Sequence, residues 1–235
     1  MPDRFAARVA DGESVVGVHH AASGERWLVF CHGFRSDKSG SYEGRCRRAV
    51  EAGYDAVRFD FRGCGESDGA FVEQTLSDKL ADLKAVVEYV DPGSYAVFGS
   101  SFGGKVAFHA AARDERVEAV AARAPVTYNR AFDDYRAVVE RDSEIRFDDG
   151  TRVDERLFAD LEGYPFADAA AGIDVPVAIF HGAADGSVPV GDSFDAARAL
   201  DTDVLVEKFA GEGHRFSERA EERLRRRLFD WLDAR

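Results

Sequence analysis

Lysine is scarce in this sequence. Of the 31 basic residues in 235, five are lysines (Lys38, Lys79, Lys84, Lys105 and Lys208) and the rest are arginines. Acidic residues number 44, and the net charge is −13. A surface of that sign repels nucleic acid and anionic membranes, so neither is expected as a partner. Long apolar runs are missing as well. No stretch approaches the roughly 20 residues that a membrane-spanning helix needs. The chain starts Met1-Pro2-Asp3-Arg4-Phe5, with no apolar leader segment, which gives the expectation of a cytoplasmic protein. Cysteine is limited to Cys31, Cys46 and Cys64, an odd count without metal-ligand spacing. A disulfide framework and a zinc site are therefore not expected, and a reduced compartment fits. Cys31 ends an apolar run and reads as a small buried hydrophobe. There is no internal repeat and no low-complexity segment.

What is present is an alternation of apolar runs and helical patterns. Residues 5–9 and 14–19 read as two strands around an Asp11-Gly12 turn. Strands follow at 27–31, 55–59, 95–98, 117–122, 175–181 and 203–208. Between them, helices are expected at 41–52, 74–91, 102–113, 191–200 and 216–233. The second of these rests on Leu76, Leu80, Leu83, Val87 and Val90, whose spacings of four and three make an amphipathic helix. Asp91-Pro92-Gly93 should stop it. The pattern predicts an α/β fold with a mostly parallel central sheet covered by helices on both faces. About fifty residues between 122 and 175 break the rhythm, far more than an ordinary connection. They suggest a hairpin around Asp148-Asp149-Gly150 and a helix near 154–162. The organisation expected is a core of 1–124 and 175–235 with an inserted cap at 125–174. Tyr128, Phe132, Tyr135, Phe147, Phe158, Tyr164 and Phe166 fall in the insert. They would either line a substrate pocket or form its own small core.

Gly99-Ser100-Ser101-Phe102-Gly103 is a G-x-S-x-G motif. The apolar run 95–98 before it and the helical run after it place Ser101 on a sharp strand-to-helix turn. Such a turn displays the hydroxyl above the end of the sheet and aims the following N–H groups at the same space. A serine nucleophile needs a base, and the base needs an orienting acid. Of six histidines, His214 is flanked by glycine in a loop between the last strand and the last helix. His109 falls inside a helix, His19 and His20 in the opening strands, and His181 at a strand end where it would support a turn. For the acid, Asp185 follows an apolar strand and so stands at the same edge of the sheet as Ser101; Asp192 and Asp195 are its nearest competitors. The backbone N–H groups of Phe102 and of Phe34, in His32-Gly33-Phe34, would form the oxyanion hole.

These features resemble the α/β-hydrolase superfamily over nearly the whole chain. The resemblance rests on His32-Gly33-Phe34, on Phe59-Asp60-Phe61-Arg62-Gly63-Cys64-Gly65-Glu66-Ser67, on the turn at Ser101, on the Asp185 loop and on His214, in the order Ser, Asp, His. Within it the chain looks like small capped carboxylesterases similar to cinnamoyl and feruloyl esterases. Members often carry histidine where Ser100 stands, a departure one residue ahead of the nucleophile. The Phe59–Ser67 block is expected to shape the rim of the site. The resemblance implies an esterase acting on a small-molecule ester, with no cofactor and no metal. A serine peptidase or thioesterase on the same scaffold is the alternative, then a non-catalytic binding protein. A homodimer is compatible with these expectations. Scarce lysine with abundant aspartate also resembles haloarchaeal proteins, in whose salt-rich cytoplasm screening removes the repulsion between carboxylates. An ordinary acidic cytosolic protein is the plainer reading.

Overall fold

A computed structural model describes residues 2–9, 12–22 and 24–235. The opening strands are β1 (Asp3–Arg8) and β2 (Ser14–His20), paired antiparallel from Asp3 opposite His19 to Arg8 opposite Ser14. Of their expected turn, Asp11 lies outside the described residues. Strands and helices then alternate. They run β3 (Arg26–Cys31), α1 (Ser41–Glu51), β4 (Tyr54–Phe59), α2 (Leu76–Val90), β5 (Tyr95–Ser100), α3 (Phe102–Ala111) and β6 (Val117–Arg123). After the long segment come β9 (Val177–Gly182), α7 (Val190–Ala199), β10 (Val204–Phe209) and α8 (Glu218–Asp233). The long segment itself holds α4 (Asp133–Asp142), β7 (Glu144–Arg146), β8 (Arg152–Asp154), α5 (Glu155–Leu161) and α6 (Phe166–Gly172). Strands β7 and β8 form the expected hairpin, Ile145 opposite Val153, closed by Phe147 N–H donating to Thr151 O at 2.9 Å.

The central sheet has eight strands in the order β1-β2-β4-β3-β5-β6-β9-β10. All pairs from β4 to β10 are parallel, and β2 joins β4 antiparallel. The chain runs outward from β3 to β4, then crosses back to β5 on the other side. This reversal of order leaves a crevice at the carboxyl ends of β3 and β5, where α/β sheets bind ligands.

Strand alternation divides the core. Leu28 and Phe30 of β3, with Phe98 and Phe180, face α1 and α8. Val29, Cys31, Val97 and Ile179 face the opposite way, toward α2, α3 and the long segment. Helix α8 buries Leu224, Leu228 and Leu232 at a spacing of four, with Phe229 and Trp231 beside them. Each of its fully buried leucines is worth roughly 1.5–3 kcal/mol over an exposed one. Helix α2 begins with a capping box: Asp78 N–H donates to Thr75 Oγ1 at 3.2 Å and Thr75 N–H to Asp78 Oδ2 at 2.9 Å. It stops where Asp91 turns left-handed, φ 50°.

Candidate active site

Ser101 sits between β5 and α3 with φ 54°, ψ −119°. A non-glycine residue there is strained, and the turn is held by close packing. Any side chain on Gly99 would collide with Gly103 O, and one on Gly103 with the carbonyls of Cys31 and His32. Ser101 N–H donates to Arg123 O at 2.9 Å, and Ser101 O accepts from Gly104 and Val126 at 2.9 and 3.0 Å. These bonds set the serine where its hydroxyl faces the crevice.

The structure brings the three sequence-nominated side chains together. His214 Nε2 lies 3.0 Å from Ser101 Oγ, and His214 Nδ1 lies 2.8 Å from Asp185 Oδ2. An ionised Asp185 can only accept, so Nδ1 carries the proton and Nε2 is left to receive one. The Asp185 carboxylate is fully buried, yet its oxygens are surrounded by donors. Ser187 and Val188 N–H donate to Oδ1 at 2.8 and 2.9 Å, and His181 Nε2 lies 3.1 Å from Oδ2. Burial opposes its ionisation. The hydrogen bonds from His181, His214, Val188 and Ser187 outweigh that and hold the carboxyl well below the usual range. His181 is itself fixed by Ser193 Oγ, 2.7 Å from its Nδ1, which makes it the support for the turn that its strand-end position suggested.

The other candidates lie elsewhere. Asp192 accepts from Arg130 at 2.5 and 3.1 Å, and Asp195 pairs with Arg198. His19 is 2.6 Å from Asp55 and stacks on Trp27. His109 is buried in α3. His32 accepts Phe61 N–H at 3.0 Å, and burial lowers its pKa to about 4.

Phe102 is the first residue of α3, so its N–H has no partner within the helix. The loop after β3 runs beside the serine: a Cβ on Gly33 would stand 3.3 Å from Ser101 Cβ. Phe34 follows at this close approach. The Phe59–Ser67 block braces that loop from beneath. Asp60, fully buried, accepts Lys38 N–H at 2.6 Å, the Lys38 ammonium at 2.5 Å and Glu66 N–H at 2.9 Å. A cleft of about 460 Å³ opens over Ser101 and His214, lined also by Phe34, Arg35, Tyr42, Arg123, Arg215 and Phe216.

The long segment reaches the same loop. The Phe34 ring packs against Phe102 at 5.9 Å, Phe132 at 5.3 Å and Tyr135 at 6.2 Å. Arg35 donates to Thr151 Oγ1 at 2.8 Å and Asp149 Oδ2 at 2.6 Å, and covers the Phe147 ring at 3.6 Å. Phe132, Phe158 and Phe166 are buried, while Tyr135 is 38% exposed. Phe132, Phe158 and Phe166 thus pack inward, Phe132 and Tyr135 border Phe34, and none of the segment's aromatics lines the cleft itself. Sequence reasoning missed Arg45, Arg123 and Glu221. They form an ionic chain beside the triad and carry no local signature, because Arg45 and Glu221 are 176 positions apart.

Residues 23–141, half of the chain, match the family model described as Serine aminopeptidase, S33 (Hydrolase_4), and the chain belongs to that family, within the α/β-hydrolase superfamily. Over 212 residues it is 28% identical to human mitochondrial palmitoyl-protein thioesterase ABHD10, covering 83% of this chain and 68% of that protein. It is 33% identical over 108 residues to the quorum-quenching protein AidA of Acinetobacter baumannii, covering 43% of this chain and 35% of that one. Among solved structures, mouse alpha/beta hydrolase domain-containing protein 10 matches with TM-score 0.88 and 22% identity over 99% of each chain. Est1E of Butyrivibrio proteoclasticus with bound ferulic acid matches with TM-score 0.87 and 20% identity over 97% of each. At such identities the structural likeness speaks for the fold. No helix among the described residues is long and apolar enough to cross a membrane.

Proposed function

We propose that this chain is a serine hydrolase of carboxylic esters, with Ser101 as nucleophile, His214 as base and Asp185 as orienting acid. His214 Nε2 takes the Ser101 proton as Oγ attacks the ester carbonyl. The oxyanion accepts hydrogen bonds from Phe34 and Phe102 N–H, each donor worth on the order of 10²–10³ in rate. His214 then gives its proton to the leaving alcohol, and an acyl group remains on Ser101. Water, activated by the same imidazole, releases the acid. The observation that carries this is the relay of 3.0 and 2.8 Å contacts from a serine at φ 54° to a buried, ionised Asp185. No step calls for a metal or a cofactor.

A thioester is the second reading, favoured by the 28% identity to a palmitoyl-protein thioesterase. The same steps serve it with a thiol leaving group. An aminopeptidase would need carboxylates for a substrate ammonium. Of the cleft's two, Asp37 binds Ser39 N–H and Glu221 is held by Arg45. Residues 125–174 act as a cap on a core of 1–124 and 175–235, with Phe132, Tyr135 and Phe147 bordering the acyl site. The composition supports an origin in a salt-rich cytoplasm. A fluorophosphonate probe should label the wild type and leave Ser101→Ala unlabelled. A panel of esters, thioesters and aminoacyl amides then ranks the substrates. Labelling of Ser101→Ala at the wild-type rate would remove the nucleophile from this scheme.

A further inference from the structure

An ionic chain at the floor of the cleft, with Arg123 and Glu221 each 12% exposed, takes no part in the scheme above. Arg45, on α1, is fully buried. Its Nη1 donates to Ser100 Oγ at 3.1 Å, and its Nη2 to both oxygens of Glu221 at 2.8 and 2.9 Å. Glu221, on α8, stands 3.9 Å from Arg123 Nε. Arg123 Nη1 donates to the backbone carbonyl of His214. The carbonyl of the same Arg123 accepts the Ser101 N–H at 2.9 Å. One residue thus grips the nucleophile with its main chain and the base with its side chain. Rings fix the guanidinium groups in place: Arg45 lies 4.8 Å from the Phe98 centroid and 4.9 Å from Tyr42, and Arg123 lies 5.6 Å from Phe216.

Stability is a poor explanation for this chain. Nε of both arginines is buried without a hydrogen-bond partner among the described residues. Burial disfavours the Arg123 cation, and the nearby Arg45 guanidinium disfavours it further. Buried ion triads are often no more stabilising than apolar side chains of the same volume. An apolar side chain, however, could not hold the His214 carbonyl at a fixed point. The loop around His214 is glycine-rich; Glu212 is fixed by Ala184 N–H at 2.8 Å and by Ser217, and the main chain of His214 itself is held by Arg123.

We infer that Arg123, backed by Glu221 and Arg45, is a positioning residue that sets the distance between His214 and Ser101. Ser100 belongs to the same device, since it is the acceptor that ties Arg45 to the serine turn. The inference rests on Ser101 and His214 being nucleophile and base.

The test is steady-state hydrolysis of p-nitrophenyl butyrate by wild type, Arg123→Ala, Ser100→Ala and, as a distant control, Arg198→Gln. A misplacement of about 1 Å can cost on the order of 10²-fold in rate. Arg123→Ala should therefore lose about 10- to 100-fold in kcat with KM within about twofold. Guanidinium at about 10 mM, far below denaturing levels, should restore kcat at least fivefold by refilling the site. Ser100→Ala, which leaves Arg123 in place, should lose about three- to tenfold with an unchanged melting temperature, and Arg198→Gln should match the wild type. A merely structural role predicts a lower melting temperature, kcat near wild type and no response to guanidinium, and that result overturns the inference. If Arg123→Ala does not fold, Ser100→Ala decides: wild-type kcat there rejects the clamp. Turnover retained by Ser101→Ala would instead reject the nucleophile, so the two failures are distinguishable.

Discussion

The carboxyl end of the sheet and the segment 125–174 beside it hold their side chains in opposite ways. At the sheet end, space and hydrogen bonds leave no freedom. A Cβ on Gly99, Gly103 or Gly182 would run into backbone, and the Asp185 carboxylate is held by four donors. In the segment, a Cβ on Gly150 meets nothing within 4 Å and Tyr135 is 38% exposed; at the loop beside the site it meets the core through rings on Phe34 and through Arg35, while Ser77, Lys105 and Asp192 anchor it further away. The first region tolerates almost no change. The second can vary in shape while the first stays intact. Under the proposed function, chemistry belongs to the sheet end, and choice of substrate to the segment.

The largest expected effect would break the first half of that comparison. Ser101→Ala should abolish ester turnover without unfolding, because a smaller side chain fits the same turn. His214→Ala should be about as damaging and Asp185→Asn somewhat less. Losses should be on the order of 10³–10⁶ in kcat and non-additive, because the three act as a unit. Ser101→Ala retaining a tenth of wild-type turnover, in protein with an unchanged circular dichroism spectrum, would place the chemistry elsewhere.

The second half is sharpened by Tyr135→Ala and Phe132→Leu, which open the wall around Phe34. Acyl preference between acetate and a bulky aromatic ester should move about tenfold, since an apolar contact is worth about 1–3 kcal/mol in discrimination. Turnover of the small ester should stay within about threefold. An unchanged preference in folded variants would reduce the segment to a scaffold.

The two regions also differ in how far the sequence discloses them. Strands such as Trp27–Cys31 and Tyr95–Phe98 are legible because they are buried on both faces and read as unbroken apolar runs. Ser101 is legible because a strand, two glycines and a helix bracket it. His214 and Asp185 are legible because each follows a strand at the same edge, although only the structure separates Asp185, 2.8 Å from His214, from Asp192 and Asp195, which pair with arginines. The segment is harder. Helix α4 buries only Val139 of ten residues, so it leaves no apolar period, and α6 is mostly alanine and gives no helical stripe. The clamp of Arg45, Glu221 and Arg123 is illegible for another reason. Charged residues on amphipathic helices, such as Arg45 and Glu221, or at a strand end, such as Arg123, read as solvent-facing, and only tertiary packing turns them inward.

A smaller effect concerns the surface the two regions share. With a net charge of −13 and five lysines, carboxylates repel one another at low ionic strength. The Debye length falls from about 10 Å at 0.1 M salt to about 3 Å at 1 M, which removes most of that repulsion. The thermal midpoint should rise by about 10 °C between 0.1 and 2 M KCl, or roughly 3 kcal/mol at this size. A flat midpoint would leave an ordinary acidic protein and the site assignments untouched.

The smallest effect lies where the two regions meet. Lys105, on α3 one turn beyond Ser101, is 1% exposed. Its ammonium donates to Tyr164 O at 2.9 Å and Thr127 O at 3.4 Å, both carbonyls of the segment. No carboxylate lies within ion-pair distance among the described residues, and its titratable neighbour is His109. Burial lowers the Lys105 pKa to about 8, while that of His109, also lowered by burial, is about 3, so His109 stays neutral throughout the range that matters. In the unfolded chain a lysine keeps its proton to about pH 10.4. Between those values the unfolded state binds more protons, so Lys105 makes stability rise with pH, by at most about 1.4 kcal/mol per unit. Lys105→Met removes that slope whatever it does to stability at pH 7. Urea midpoints measured from pH 7 to 9.5 should therefore show the wild type gaining on the variant above pH 8. Parallel curves would mean that the ammonium is solvated in solution, and that the segment stands further from α3 than its hydrogen bonds to Lys105 require.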